Sequence, residues 1–169
     1  MIVTFYSWKG GVGRTMALAN VAVQLARLGS NVLLVDWDLE APGLDHYFAR
    51  SEAHDIGYLS IREPTDRNGL LGLLKHASDI GGAAPRPEHW RQKLIEITVR
   101  PPHADLLTSL PVTPSHLDLL PSGYGCDGYA NVLAEFSWSA FFADRRGGEW
   151  LEALRKQWSD AYDFVLIDS

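Results

Sequence analysis

The segment Lys9-Gly10-Gly11-Val12-Gly13-Arg14-Thr15 places cationic side chains, glycines and a hydroxyl in one short run. These are the ingredients of a polyanion site. Glycine adopts backbone conformations that other residues resist, so successive N–H groups can turn inward toward phosphate oxygens with no Cβ in the way. Thr15 offers a hydroxyl to a hard divalent cation, and Met16 continues the run. The general phosphate-loop pattern G-x-x-x-x-G-K-[ST] has lysine where Arg14 stands and glycine where Trp8 stands, so that pattern is not matched. A second chemistry comes from carboxylates. Asp36-Trp37-Asp38 closes one apolar run and Asp168 closes another, and acids at strand ends beside a phosphate loop invite a cation such as Mg²⁺.

Elements of defined type must hold these groups. Ile2 to Ser7 reads as a buried strand, and Arg14 to Leu28 as a mostly buried helix with a narrow polar stripe at Asn20, Gln24 and Arg27. Gly29 sits where a helix stops, and Asn31 to Asp36 reads as a second strand. Strand, glycine loop, helix and strand predict a right-handed parallel unit, with the helix N-terminus adding its positive end to the loop. From Ala41 to Pro114 the periodicity is broken by Pro42, Pro64, Pro85, Pro87, Pro101, Pro102, Pro111 and Pro114. Within that stretch Leu70 to His76 reads as helix, Gly81 to Pro87 as loop, and Lys93 to Arg100 as helix or strand. Leu117 to Leu120 predicts a short strand. Trp150, Leu151, Leu154 and Trp158 share one helical face, where the two tryptophans read as core anchors, and Phe164 to Ile167 is a last buried strand. The abrupt stop at Asp168-Ser169 leads to the expectation that the chain is a fragment whose remaining elements follow Ser169.

Composition narrows the function classes. With 169 residues, 46% hydrophobic and 21% charged, the chain can build one globular domain rather than a disordered tail. Its net charge of −6 argues against a broad surface for nucleic acid. Cys126 is the sole cysteine, which excludes an internal disulfide and a cysteine-based zinc cluster and fits the cytosol. No apolar stretch is long enough for a membrane span. The histidines, at 46, 54, 76, 89, 103 and 116, lack metal-ligand spacing. Arg145-Arg146 reads as a solvated loop, and Trp8 and Trp37 flank the loop and the carboxylates. A dinucleotide fingerprint fails, because Gly11, Gly13 and Met16 lack its third small residue.

Lys9, Gly10, Gly11, Gly13 and Thr15 resemble the deviant Walker A motif K-G-G-x-G-K-[ST] of the MinD/ParA family of P-loop ATPases. Arg14 replaces its second lysine, as in a KGGVGR-motif variant group. Asp36-Trp37-Asp38 resembles the family's switch I D-x-D, and Phe164 to Asp168 its Walker B strand. The resemblance implies a three-layer α/β P-loop NTPase fold with a mostly parallel sheet, incomplete at its C-terminus, residues 1–169 being the N-terminal portion of one domain cut just after Walker B. It implies ATP as substrate and Mg²⁺ as cofactor. Nucleotide contacts fall on Lys9, Gly10, Gly11, Val12, Gly13, Arg14, Thr15 and Met16, and metal contacts on Thr15, Asp36 and Asp168. Lys9, Arg14 and Asp38 are the catalytic candidates, Lys9 reaching across a dimer to the partner's phosphates and Asp38 orienting the attacking water. The implied function is an ATP-driven homodimerisation switch, acting on a protein partner or downstream domain in a bacterial regulatory or defence system. Arg14 motivates an alternative, a nucleotide-sensing module with little hydrolysis. A bacterial tyrosine kinase would need a tyrosine-rich tail that this sequence does not contain.

Overall fold

A computed structural model describes residues 1–9, 11–48, 59–81, 83–99 and 115–169. Among the sequence candidates, Gly10, His54, Arg100, Pro101, Pro102, His103, Pro111 and Pro114 lie outside the described residues, as does Gly82 of the expected loop. In chain order the elements are β1 (Ile2–Phe5), α1 (Arg14–Arg27), β2 (Val32–Asp36), a 3-10 turn (Asp45–Tyr47), β3 (Leu59–Arg62), α2 (Gly69–Asp79), α3 (Pro87–Arg91), β4 (Ile95–Val99), β5 (Leu117–Leu120), α4 (Tyr129–Glu135), α5 (Trp138–Ala143), α6 (Gly147–Ala161) and β6 (Phe164–Asp168).

The strands form one sheet in the order β1-β6-β2-β5-β4-β3. β1, β6, β2 and β5 run parallel, and β4 is antiparallel to both of its neighbours. The segment left open between helix and strand in the sequence is therefore strand, and it is the reversed one. β2 is buried at every position, as expected of a strand covered on both faces. Its alternation divides the core: Leu33 and Val35 face Leu70, Leu74, Trp90, Trp150, Leu154 and Trp158 of the α2, α3 and α6 layer. Val32 and Leu34 face Leu18, Ala22 and Ala26 of α1. Helices on both faces of a mostly parallel sheet make the three-layer α/β architecture. Fully burying each such leucine contributes about 1.5–3 kcal/mol, so this packing fixes the sheet to which the loop is tied.

α1 departs from expectation. Only Leu18, Ala19, Ala22 and Ala26 are buried in it, while Met16, Ala17 and Val21 are exposed. An apolar run marks what a helix is able to bury, and here one layer covers only one side. On the opposite face the N-terminus of α2 is capped by main chain, with the Leu70 and Leu71 amides donating to the carbonyls of Pro121 and Ser122. That approach requires glycine: a Cβ on Gly123, whose φ is +99°, would stand 2.2 Å from the Asn68 carbonyl oxygen. Among the described residues no helix is long and apolar enough to cross a membrane.

Candidate functional site

The glycine loop leaves β1 and enters α1 through two left-handed residues, Gly11 (φ +73°) and Gly13 (φ +78°). Among the described residues a Cβ would meet nothing within 4 Å at Gly11 and only the Met16 side chain at Gly13. Conformation, not space, therefore explains these glycines. Gly13 caps α1 without a side-chain hydrogen bond, and no acidic residue lies in the first turn. The amides that a serine or aspartate cap would consume stay available to an anion, at the positive end of a 14-residue helix.

Strand order brings the carboxylates to this loop. β6 lies between β1 and β2, so Asp168 pairs in register with Phe5 on one side and Asp36 on the other. Asp36 and Asp168 are 1% and 2% exposed, which makes them neighbouring buried acids at the C-terminal edge of the sheet. The Oδ2 atom of Asp36 accepts from the amides of Gly43 and Leu44, each at 3.2 Å, and its Oδ1 is buried without a hydrogen-bond partner among the described residues. Burial pushes the Asp36 carboxyl up to about 6, and the nearby charge of Asp168 adds to that, against the lowering effect of the backbone amides. A divalent cation fits this arrangement, because it would satisfy the orphaned oxygen and offset the repulsion. Among the described residues no three His, Cys, Asp or Glu side chains gather as a metal cluster, so phosphate oxygens and water would have to complete the shell.

Arg14 joins the pieces. Its Nε donates to Asp168 Oδ1 at 2.5 Å, its Nη2 to Asp38 Oδ2 at 2.8 Å, and its Nη1 to the Ser169 carbonyl at 2.7 Å. Burial works against its charge, but its hydrogen bonds to Asp38 and Asp168, together with the charges of those acids, outweigh that and hold the guanidinium above its ordinary value. The other oxygen of Asp38, Oδ1, accepts from the Ala41 amide at 3.1 Å and shapes the turn after β2. Thr15 opens onto a cavity of about 350 Å³ that it shares with Gly43, His46 and Tyr47. Val12 and Met16 are exposed beside the loop, and Lys9 is exposed on the surface with its carbonyl accepting from Ser7 Oγ.

Arg14, Asp36, Asp38 and Asp168 thus converge, Thr15 opens beside them, and Lys9 stands outside. Sequence reasoning missed His46 and Tyr47, placed opposite Thr15 by the amide contacts of Asp36 with residues 43 and 44. It also missed Tyr129, whose hydroxyl donates to the Leu39 carbonyl at 2.9 Å and tethers the segment after Asp38 to α4. The Pro42-Gly43 turn so close to Asp36 is the one local signal that could have pointed there. His76 and His89, far apart in sequence, meet edge to face with ring centroids 4.9 Å apart. Sequence spacing excludes no such pairing between helices.

A family model, the CobQ/CobB/MinD/ParA nucleotide binding domain, matches residues 3–156. An ATP-binding protein of Methanocaldococcus jannaschii is 48% identical over 48 residues, 28% of this chain and 18% of that protein. The septum site-determining protein MinD of Synechocystis sp. is 48% identical over 44 residues, 26% of this chain and 16% of that protein. Among solved structures, pNOB8 ParA bound to nonspecific DNA aligns over 99% of this chain with a TM-score of 0.56 and 20% identity. At that identity the likeness concerns the fold alone. The chain spans 45% of that structure's length.

Proposed function

This chain belongs to the CobQ/CobB/MinD/ParA nucleotide-binding family, and from that premise we propose that it binds Mg-ATP at the loop 9–16 and hydrolyses it as a dimerisation switch. The observation that carries the reading is the convergence of Asp36, Asp38 and Asp168 on a helix N-terminus that no side chain caps, entered through Gly11 and Gly13. The amides of residues 11–15 bind the phosphates, and Arg14 and Lys9 supply positive charge, Lys9 from a second subunit, as its exposed position allows. Thr15, Asp36 and Asp168 would hold Mg²⁺, which when bound neutralises β- and γ-phosphate oxygens and eases departure of the ADP leaving group. Asp38 orients the water whose oxygen bonds to the γ-phosphorus as the bridging P–O bond breaks.

A second reading, a nucleotide sensor with little turnover, is favoured by the commitment of Arg14 to Asp38, the group assigned to the water. The charge of −6 weighs against nucleic acid as partner of this segment. The DNA in the ParA structure belongs to that protein. Phosphate release from Mg-ATP as a function of protein concentration tests the first reading. Turnover per subunit that rises with concentration supports a dimer with Lys9 acting across the interface. Constant turnover keeps the ATPase and removes the trans-acting lysine, and ATP binding without turnover favours the sensor.

A further inference from the structure

We propose that the groove between α2 and α4 docks a helical segment of a protein partner, one with two basic residues about two turns apart and apolar residues between them. The groove consists of two cavities, of about 320 Å³ and about 190 Å³, that share Lys75, Asp79 and Val132 in their walls. Helical spacing builds it. Leu71, Lys75 and Asp79 recur at every fourth position of α2, and Tyr129, Val132 and Phe136 follow one face of α4 as far as its C-terminal cap. α2 lines the groove along its 11 residues, about 16 Å. That length suits a helix of about three turns better than a compact small molecule. The ring of Tyr129 is part of the wall and its hydroxyl holds the Leu39 carbonyl, so an occupant touches a residue tied to the segment after Asp38.

Charge selects the occupant. In the middle of the groove Lys75 is matched by Asp79, with Nζ 3.2 Å from Oδ2. His76, in the wall of the larger cavity, has its ring against His89. Acids stand at the two ends: Asp127, ahead of α4, lines the larger cavity, and Glu135, the last residue of α4, lines the smaller. Both are exposed, and neither joins an ion pair among the described residues. The helical rise puts them roughly 10 Å apart along α4, and two turns of a docked helix cover about the same distance. Lysine or arginine at those two places meets one carboxylate each. An acidic segment or a nucleic acid would instead face two unmatched acids on a chain of net charge −6. Between the acids the wall is apolar at Val132 and Phe136, which places the partner's apolar residues between its basic ones. Phe136 packs edge to face on Trp138 at 4.8 Å, and Trp138 and Phe142, 37% and 52% exposed, stack at 6.1 Å. Exposed aromatic rings at the end of a groove contribute most once a partner excludes water from them.

The test needs no nucleotide. The probe is a fluorescein-labelled, alanine-rich helical peptide of about 14 residues, with leucines on one face and two lysines about two turns apart beside them. One control peptide carries glutamates in place of the lysines, and another has the same lysines moved to the opposite face. Anisotropy should show the probe binding the wild-type chain with a Kd of roughly 0.1 mM or tighter, and both controls binding about 10-fold or more weakly. The double variant Asp127→Asn, Glu135→Gln changes exposed side chains only, so its melting temperature should match the wild type, and its affinity for the probe should fall by about 10-fold or more. If the double variant melts differently, Glu135→Lys alone carries the comparison, with the same expected loss. Equal affinity of wild type and variant overturns the proposal, as does equal affinity for lysines on either face, which would be attraction to net charge alone. A probe that does not bind at millimolar concentration overturns it too. Sedimentation of the chain by itself covers the remaining occupant: self-association that the double variant abolishes would assign the groove to a second copy and remove the partner.

Discussion

A guanidinium at position 14 serves three acceptors at once, whereas Oδ1 of Asp36 stays unpaired among the described residues. Those two facts separate the roles of the acids. In the proposed reaction Asp36 and Asp168 hold the charge of the cation, and Asp38, more exposed and anchored through its Oδ1 to the Ala41 amide, acts on the water. Asp38→Asn keeps the shape of the side chain and removes its charge. Turnover should fall by about 100-fold or more, while ATP affinity in MgCl₂ changes only a few-fold. Phosphate release and calorimetry on one preparation check both halves, and a parallel loss of affinity would move Asp38 into binding. The loop, Asp36, Asp38 and Asp168 were legible in the sequence because each borders an apolar run. That Asp36 and Asp168 are neighbours was not, since it depends on β6 lying between β1 and β2. The partners of Arg14 were hidden for the same reason, with 154 residues separating it from Asp168.

Long elements with strong periodicity were legible too. α6 presents Trp150, Leu154 and Trp158 to the core as the spacing required, and Arg146, solvated as expected, precedes that helix and pairs with Glu149. α4 and α5, at 7 and 6 residues, are too short for a period to show. Pairing across elements escaped as well, and one such pair predicts a pH dependence. Tyr162, at the end of α6, donates to Asp118 Oδ2 of β5 at 2.6 Å. Burial pushes the tyrosine hydroxyl well above the usual range, and the charge of Asp118 adds to that. Burial also pushes the Asp118 carboxyl up, against the hydrogen bond from Tyr162. Both groups keep their protons in the folded chain where the unfolded chain would release them. Stability therefore declines as pH rises through the acid range of Asp118, and again above about pH 10, where unfolded tyrosine ionises. Tyr162→Phe should destabilise the chain by about 1.5–3 kcal/mol at neutral pH. It should also abolish the alkaline decline that this residue causes. Urea unfolding at neutral pH and above about pH 10 measures both, and an unchanged alkaline slope in the variant would show that another group sets it.

At the scale of the molecule, the face that carries the loop is apolar where a lone ATP site has no need to be. Tyr6, Trp8, Val12 and Met16 are 64%, 89%, 59% and 52% exposed. Tyr6 and Trp8 pack edge to face at 6.3 Å, so this surface is partly ordered before anything covers it. Lys9 projects from the same surface. The sequence placed Trp8 beside the site, and its exposure leaves its ring available to a partner. Exposed aromatics around a cation are the composition of an interface centre, where large side chains contribute most when water is excluded. In the dimer reading, nucleotide brings two such faces together. Trp8→Ala should then leave ATP affinity at low protein concentration within a few-fold of wild type, and weaken ATP-dependent association by about 10-fold or more. Sedimentation velocity with and without Mg-ATP measures the association, and calorimetry the affinity. Equal association of wild type and Trp8→Ala in Mg-ATP would take this face out of the interface, leaving Lys9 to act within its own subunit or not at all.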